Sequence, residues 1–166
     1  QALADTPMIV VCAGAKSILD LPATLEYLET MAVPVVGYGT DEFPAFFSRK
    51  SGSNVSVRLN SPEEIVAFAK AHWDLGLKSA VLVTNPIPEK HSLDDGFINP
   101  IITQASQDAQ NRGIHGQALT PFLLARINEL SGGRSLKSNL VLLHNNATLA
   151  AKIAKVMTQA KGRKIA

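Results

Sequence analysis

The chain has 166 residues, 46% of them hydrophobic and 18% charged, with a formal net charge of +2. These values indicate one globular domain and argue against a disordered chain or a strongly basic protein that binds nucleic acid. A single cysteine excludes an internal disulfide, and no apolar stretch is long enough to span a bilayer.

Apolar, β-branched runs alternate with helical patterns along the sequence. The predicted strands cover residues 8–13, 33–37, 55–59, 79–84 and 139–143, with a further short strand at 117–119. This alternation predicts an α/β fold in which a mainly parallel, mixed sheet lies between two helical layers. Residues 1–166 are therefore interpreted as a single domain.

The predicted helices have recognisable ends. Asp20 followed by Pro22 is typical of a helix start, and Ser61 followed by Pro62 and Glu64 indicates a capping box. Glycines are expected to end these helices, because they adopt the left-handed backbone that helix termini use. Further helices are predicted over 95–112, from 120 to the Gly-Gly pair at 132–133, and from about 145 into the lysine-rich end.

The apolar run 8–13 leads through Gly14 to Lys16, and this lysine is the leading catalytic candidate. Ligands of open parallel sheets bind at the carboxyl ends of the strands, which is where Lys16 is predicted to lie. A lysine that loses its proton on burial becomes a nucleophile toward carbonyl carbons. The alternative is a solvated surface lysine, which is the commoner situation.

The segment from Gly37 to Glu42 follows the second strand and contains two glycines. It lacks the third glycine of a dinucleotide-binding fingerprint, so it supports a nicotinamide-dependent oxidoreductase only weakly. Its amides are suited to a phosphate, but a plain strand-to-helix turn capped by Thr40 or Asp41 explains it equally well.

Asparagines mark the ends of two predicted strands. Asn85 ends one strand and is a candidate for orienting a substrate, although it could equally satisfy only local backbone groups. Asn139 opens the strand 139–143, and Asn145 or Asn146 is expected to cap the final helix. The four histidines show no metal-ligand spacing, so no metal ligand is predicted within the chain.

Several long segments together resemble the pseudouridine-5'-phosphate glycosidase family, also called the indigoidine synthase A-like family. They cover nearly the whole chain. The matching segments are VVCAGAKSILD at 10–20, TLEYLET at 24–30, VVGYGTDEFPAF at 35–46, SPEE at 61–64, NPIP at 85–88, TPFLL at 120–124 and NNA at 145–147.

This resemblance implies reversible cleavage of the carbon–carbon glycosidic bond of pseudouridine 5'-phosphate, giving uracil and ribose 5-phosphate. In the family mechanism the ribose ring opens and a lysine forms an imine with the sugar C1', which lets the bond to uracil break. Lys16 matches the family's nucleophilic lysine, and Asn139 matches a substrate-binding asparagine.

The resemblance also implies parts that this sequence lacks. In the family a manganese-binding aspartate, a proton-donating glutamate and most phosphate contacts precede the nucleophile. The chain is therefore expected to be the C-terminal portion of a larger glycosidase domain, inactive alone, working with the missing N-terminal half as a homotrimer. A cytoplasmic location is expected, or an organelle in a eukaryote. The alternative function is a non-catalytic phosphosugar- or nucleotide-binding module.

Overall fold

The computed structural model describes residues 1–15 and 20–162, with side chains up to residue 159. Within these residues, four strands and six α-helices follow one another along the chain. Their bounds are α1 Ala2–Asp5, β1 Ile9–Cys12, α2 Leu21–Thr30, β2 Val35–Tyr38, β3 Val57–Leu59, α3 Pro62–Asp74, β4 Val81–Thr84, α4 Asp95–Asn111, α5 Leu119–Leu130 and α6 Arg134–Gly162. Four of the six predicted strands are confirmed in shortened form.

The four strands form one sheet in the order β1-β4-β2-β3, and every pairing between them is parallel. The described sheet is thus parallel throughout rather than mixed. Parallel strands need crossover connections, and α2 and α3 provide two of them. All four carboxyl ends lie at the same end of the sheet, where a ligand crevice is expected.

Helices cover both faces of the sheet, which confirms the three-layer prediction. The side chains of Val10, Cys12, Val35 and Leu82 face one layer, where they pack against Leu28 of α2. Alternate residues of the strands face the other layer, formed by α3 and α6. The buried residues of this second core are Val36, Ile65, Val66, Ala69, Val81, Val83, Leu149 and Ile153.

The predicted helix caps are confirmed at two places. The Asp20 carboxylate accepts a hydrogen bond from the amide of Ala23 at 3.0 Å and begins α2. Ser61 and Glu64 form the reciprocal capping box that begins α3. Both caps depend on residues three positions apart, so the local sequence is enough to predict them.

Helices α4 and α5 pack against each other around a separate hydrophobic core that includes Ile98, Ala105 and Leu123. An ion pair joins them, in which the Arg126 Nε lies 2.6 Å from a carboxylate oxygen of Asp108. The hydrogen bond from Arg126 lowers the pKa of Asp108. This helix pair thus has its own apolar and ionic contacts.

The predicted strand at 139–143 is wrong, because these residues lie inside α6, a continuous helix of 29 residues. Of the four apolar residues in that run only Leu142 is buried, and the next buried positions of the helix are Leu149 and Ile153. That spacing follows a helical period rather than alternation. Asn145 and Asn146 accordingly lie within the helix and do not cap it.

Two smaller predictions are also wrong. The short strand at 117–119 is instead a 3-10 turn, Gly116–Ala118, that leads into α5. The segment after β2 does not turn into a helix but runs as a loop to β3, with the Gly39 amide donating to the Leu59 carbonyl at 2.9 Å. Within residues 1–15 and 20–162, no helix is both long and apolar enough to cross a membrane.

Candidate active site at the carboxyl ends of the strands

The loop between β2 and β3 folds over the carboxyl end of β1. The Phe46 amide donates to the Ala13 carbonyl at 3.2 Å, and Gly14 forms an isolated antiparallel bridge with Ala45. Gly14 has φ +82, and a Cβ at this position would overlap the carbonyl group of Pro44. Glycine is therefore required here both by its left-handed backbone and by the close approach of the loop.

Lys16 lies outside the described residues, as do residues 17–19. Its role as the nucleophile therefore stays a prediction. The described chain on either side of this segment ends at Ala15, which is half-buried, and resumes at Asp20, which caps α2.

A cleft of about 280 Å³ opens between the start of α2, the covering loop and the start of α4. One wall is formed by Leu21, the first residue of α2, and by Ala45, the bridge partner of Gly14. The remaining lining comes from the covering loop and the first turns of α4, namely Ser48, Lys50, Ser51, Gly52, Asp95, Ile98 and Asn99. Hydroxyl, ammonium, carboxylate and amide groups thus converge at this end of the sheet.

Two cations lie on the covering loop. Lys50 lines the cleft, and the Arg49 guanidinium donates to the carbonyl oxygen of Ile87 at 2.6 Å. The ion pairs among the described residues involve Arg58 and Arg126, not Arg49. The carbonyl partner of Arg49 is uncharged, so this bond leaves the positive charge of the loop available to an anion.

An internal carboxylate fixes the turn that carries these groups. The Glu42 Oε1 atom accepts hydrogen bonds from the amides of Ser51 at 2.9 Å and Gly52 at 2.5 Å. Successive amides that point to one oxygen form an anion-binding turn, and here the protein's own side chain occupies it. Glu42 therefore holds Lys50 and Ser51 at the cleft without entering it.

Asn85 is buried, with 5% of its surface exposed, and it does not line the cleft. Its amide Nδ2 donates to the Asn146 Oδ1 at 3.2 Å, while its backbone N–H donates to the Cys12 carbonyl at 2.7 Å. Asn145 also donates to the Pro86 carbonyl, at 3.3 Å. These bonds anchor α6 to the carboxyl end of β4, so the structure gives Asn85 a positioning role.

Asn139 is half-buried and does not line the cleft either. It precedes Leu142 by three residues and Asn146 by seven, so all three occupy the same side of α6. Leu142 packs in a cluster with Ala13 at the end of β1. The side of α6 that carries Asn139 thus faces the carboxyl ends of β1 and β4, although the structure does not bring Asn139 to the cleft itself.

Cys12, the last residue of β1, is half-buried within the core beneath α2. Burial raises the pKa of its thiol, and a hydrogen bond from the Gly14 backbone partly opposes that effect. A raised pKa keeps the sulfur protonated near neutral pH. Cys12 is therefore a packing residue, as the sequence indicates, and not a nucleophile.

Manganese has no ligand set within the described chain. Among residues 1–15 and 20–159, no three histidine, cysteine or carboxylate side chains cluster closely enough to hold a metal ion. The described residues thus do not fit a manganese site by themselves.

Comparison with known proteins identifies the family. The family model described as indigoidine synthase A like protein matches residues 1–156. Pseudouridine-5'-phosphate glycosidase of Caldanaerobacter subterraneus subsp. tengcongensis is 54% identical over 154 residues, which are 93% of this chain and 50% of that protein. The protein of the same name from Petrotoga mobilis is 54% identical over 155 residues, covering 93% and 51%.

Two solved structures share the fold. One is the prealnumycin C-glycosynthase AlnA in complex with ribulose 5-phosphate, with TM-score 0.87 and 34% identity over 98% of this chain and 53% of that one. The other is an indigoidine synthase A-like protein from Thermotoga maritima, with TM-score 0.82 and 38% identity over 92% and 50%. The chain spans about half the length of these relatives. It belongs to the indigoidine synthase A-like family.

Proposed function

We propose that this chain is the lysine-bearing portion of a pseudouridine-5'-phosphate glycosidase, a single domain within a larger catalytic unit. The enzyme would reversibly convert pseudouridine 5'-phosphate to uracil and ribose 5-phosphate. The observation that carries the proposal is 54% identity over 154 residues to a protein with that name. Because the chain spans half of that relative, the activity is proposed for the completed enzyme.

The proposed chemistry begins with the neutral amine of Lys16. It adds to C1' of the substrate, and the ribose ring oxygen leaves and takes up a proton. The nitrogen lone pair then forms a C=N bond to C1' as the bond from C1' to uracil breaks, and the uracil carbon takes a proton. Water finally adds to the imine, which restores the amine and releases ribose 5-phosphate.

The phosphate of the sugar is proposed to bind in the cleft. Lys50 supplies a charge there, and the hydroxyls of Ser48 and Ser51 supply hydrogen-bonding groups that suit a phosphate. The half-buried Arg49 on the same loop adds positive charge. The solved C-glycosynthase that shares this fold is in complex with ribulose 5-phosphate, which is also a pentose phosphate.

The uracil ring of the substrate is proposed to form hydrogen bonds with Asn139, because a side-chain amide can both donate to and accept from the polar edge of a pyrimidine. Its support is its place on the side of α6 that faces the end of β1. Asn85 would act mainly through Asn146, by holding α6 in position. A direct contact between Asn85 and the substrate remains a secondary part of the same proposal.

The remaining parts of the proposal lie outside the described chain. A manganese-binding aspartate and a proton-donating glutamate are expected in the N-terminal half of the enzyme. A homotrimer and a cytoplasmic location complete the proposal.

A trapping experiment tests the proposal. The chain is co-expressed with the complementary half of the Caldanaerobacter enzyme, incubated with ribose 5-phosphate and reduced with sodium borohydride. Peptide mass spectrometry is expected to find the reduced sugar on Lys16, because borohydride converts an imine into a stable amine. Lys16→Arg should give no adduct, while Lys50→Arg, the matched control, should retain it. Labelling of a different lysine in the unsubstituted complex would refute the assignment.

A further inference from the structure

The outer strand β1 is built differently from an ordinary sheet edge. Among the described residues β1 pairs only with β4, yet its sequence Ile9-Val10-Val11-Cys12 carries no charge, proline or bulge. Exposed edge strands usually carry such features, because an unpaired apolar strand recruits other strands. The composition of β1 is typical of an interior strand of a parallel sheet.

The hydrogen-bond register shows which backbone amides of β1 do not bond to β4. The Val81 amide donates to the Met8 carbonyl and the Asn85 amide to the Cys12 carbonyl. In a parallel pair, the backbone N–H and C=O groups of every second residue point to the neighbouring strand. The backbone groups of Val10 and Cys12 therefore point to β4. The amides of Ile9 and Val11 consequently point away from β4, toward the open side of the sheet.

Helix α6 carries an exposed apolar flank that consists of Leu136, Leu140 and Leu143. These residues are spaced by four and three positions, so they lie on one side of the helix. They are 50%, 60% and 55% exposed. We call these three side chains the leucine flank.

The direction of the leucine flank follows from the helix geometry. The opposite flank of α6 faces α3, because Lys152 and Lys155 line a groove together with Pro62 and Glu63. Leu143 and Lys152 are nine residues apart, which is about two and a half helical turns, so they lie on opposite sides.

Helix α6 also contacts β1, the last strand of the sheet. Leu142, which lies between Leu140 and Leu143 in the helix, packs in a cluster with Ala13, the residue that follows β1. The leucine flank therefore lies near the carboxyl end of β1.

We infer that the open edge of β1 and the leucine flank of α6 form one docking surface, whose occupant is the half of the family fold that this chain does not span. The relatives are about twice as long as the matched region, so they contain a second polypeptide portion of similar size. That portion would add a strand beside β1 and cover the leucines. The inference rests on family membership and not on the imine chemistry.

Co-purification tests the surface. The chain, tagged, is co-expressed with the untagged complementary half of the Caldanaerobacter enzyme, and Leu140→Glu is compared with Leu75→Glu. Leu75 is 81% exposed at the end of α3, away from the surface, so it is the matched control. We expect at least a tenfold loss of the bound half with Leu140→Glu and no change with Leu75→Glu. Circular dichroism should show that both variants fold.

Amide hydrogen exchange gives a second measurement that needs no variant. In the isolated chain the amides of Ile9 and Val11 should exchange quickly, and in the complex they should become protected at least tenfold. Val10 and Cys12, on the same strand, should be protected in both states. Fast exchange of Ile9 and Val11 in a stable complex would overturn the added strand.

Two further outcomes would overturn the assignment of the occupant. The first is a failure of the unsubstituted chain to retain the complementary half. The second is a dimer of the isolated chain that Leu140→Glu abolishes, which would make a second copy the occupant. Lys16→Ala should keep full association, so a failure of the catalytic proposal is distinguishable from a failure of the docking surface.

Discussion

The two outer strands of the sheet differ in length, in charge and in the apolar side chains exposed beside them. Strand β3 has three residues, and its central Arg58 is exposed and paired with Asp41 at 2.8 Å. Strand β1 has four apolar residues, and its neighbour α6 exposes three leucines. Short charged edges resist further pairing, whereas uncharged apolar ones favour it. The comparison teaches that the β3 edge carries features that oppose further pairing and that the β1 edge lacks them, which is why the docking surface is proposed on the β1 side.

The largest effect is expected where β1 meets the covering loop. Gly14→Ala should lower the free energy of unfolding by about 4 kcal/mol or more, because the new Cβ overlaps the Pro44 backbone. The matched control is Gly52→Ala, since Gly52 has φ +80 but an added Cβ there would meet no heavy atom within 4 Å. It should cost only about 1–2 kcal/mol. Equal losses in urea denaturation would contradict the close approach of the loop.

The next largest effect concerns the cleft. Lys50→Ala should weaken binding of ribose 5-phosphate to the assembled enzyme about tenfold, which is about 1.4 kcal/mol, because the phosphate loses a charged partner. Isothermal titration calorimetry measures the affinity. Lys155→Ala, on the groove between α3 and α6, is the control and should bind normally. Equal affinity of the two variants would place the phosphate elsewhere.

The link between β4 and α6 should contribute a smaller amount. A double-mutant cycle of Asn85→Ala and Asn146→Ala is expected to give a coupling energy of about 1 kcal/mol, typical of one intramolecular hydrogen bond. Thermal or urea denaturation of the four proteins provides the cycle. Strict additivity of the two substitutions would mean that the bond does not position the helix.

The ion pair between α4 and α5, which lies away from both sheet edges, predicts that the stability of the protein depends on pH. The hydrogen bond from Arg126 lowers the pKa of Asp108 in the folded protein. The stabilisation that this carboxylate gives the fold is therefore complete above its unfolded-state pKa of about 3.9. It is lost as the pH falls through the lower folded-state pKa. Melting temperatures of the protein and of Asp108→Asn should therefore differ at pH 6 and converge toward pH 2. A constant difference across this range would argue against the ion pair.

The smallest effect is expected on the β3 side. Asp41→Asn removes the partner of Arg58, but the two side chains are 75% and 45% exposed. Exposed ion pairs contribute little, so the free energy of unfolding should change by less than about 1 kcal/mol. Urea denaturation at low and high salt measures it. A larger loss would mean that the β3 edge depends on this pair after all.

Features that a few neighbouring residues determine are predictable from the sequence. The Asp20 and Ser61 caps and the four strands follow from local spacing and β-branched runs. The strand predicted at 139–143 is wrong because that prediction requires its leucines to be buried within this chain. Three leucines of α6 are instead exposed, so the apolar run gives no clear helical period.

The site is only partly predictable for a similar reason. The place of Lys16 in the sequence, soon after the apolar run 8–13, is a local signal. Lys50 and Asn99 come from a loop and a helix far along the chain, and the bond between Asn85 and Asn146 spans 61 residues. No spacing rule relates residues that only tertiary packing brings together. The dinucleotide interpretation of residues 37–42 loses its support, because residues 39–56, all of them described, form no helix before β3.

The unbroken length of α6 has a mechanical consequence. Its 29 residues form a rod about 43 Å long, with the leucine flank and Asn146 on the same half. A rod of this kind moves as one body, so any shift imposed at the leucines reaches Asn85, and through its backbone the end of β1. If the proposed half docks at the leucines, its binding would therefore set the position of Asn85 and of the end of β1 in the same step.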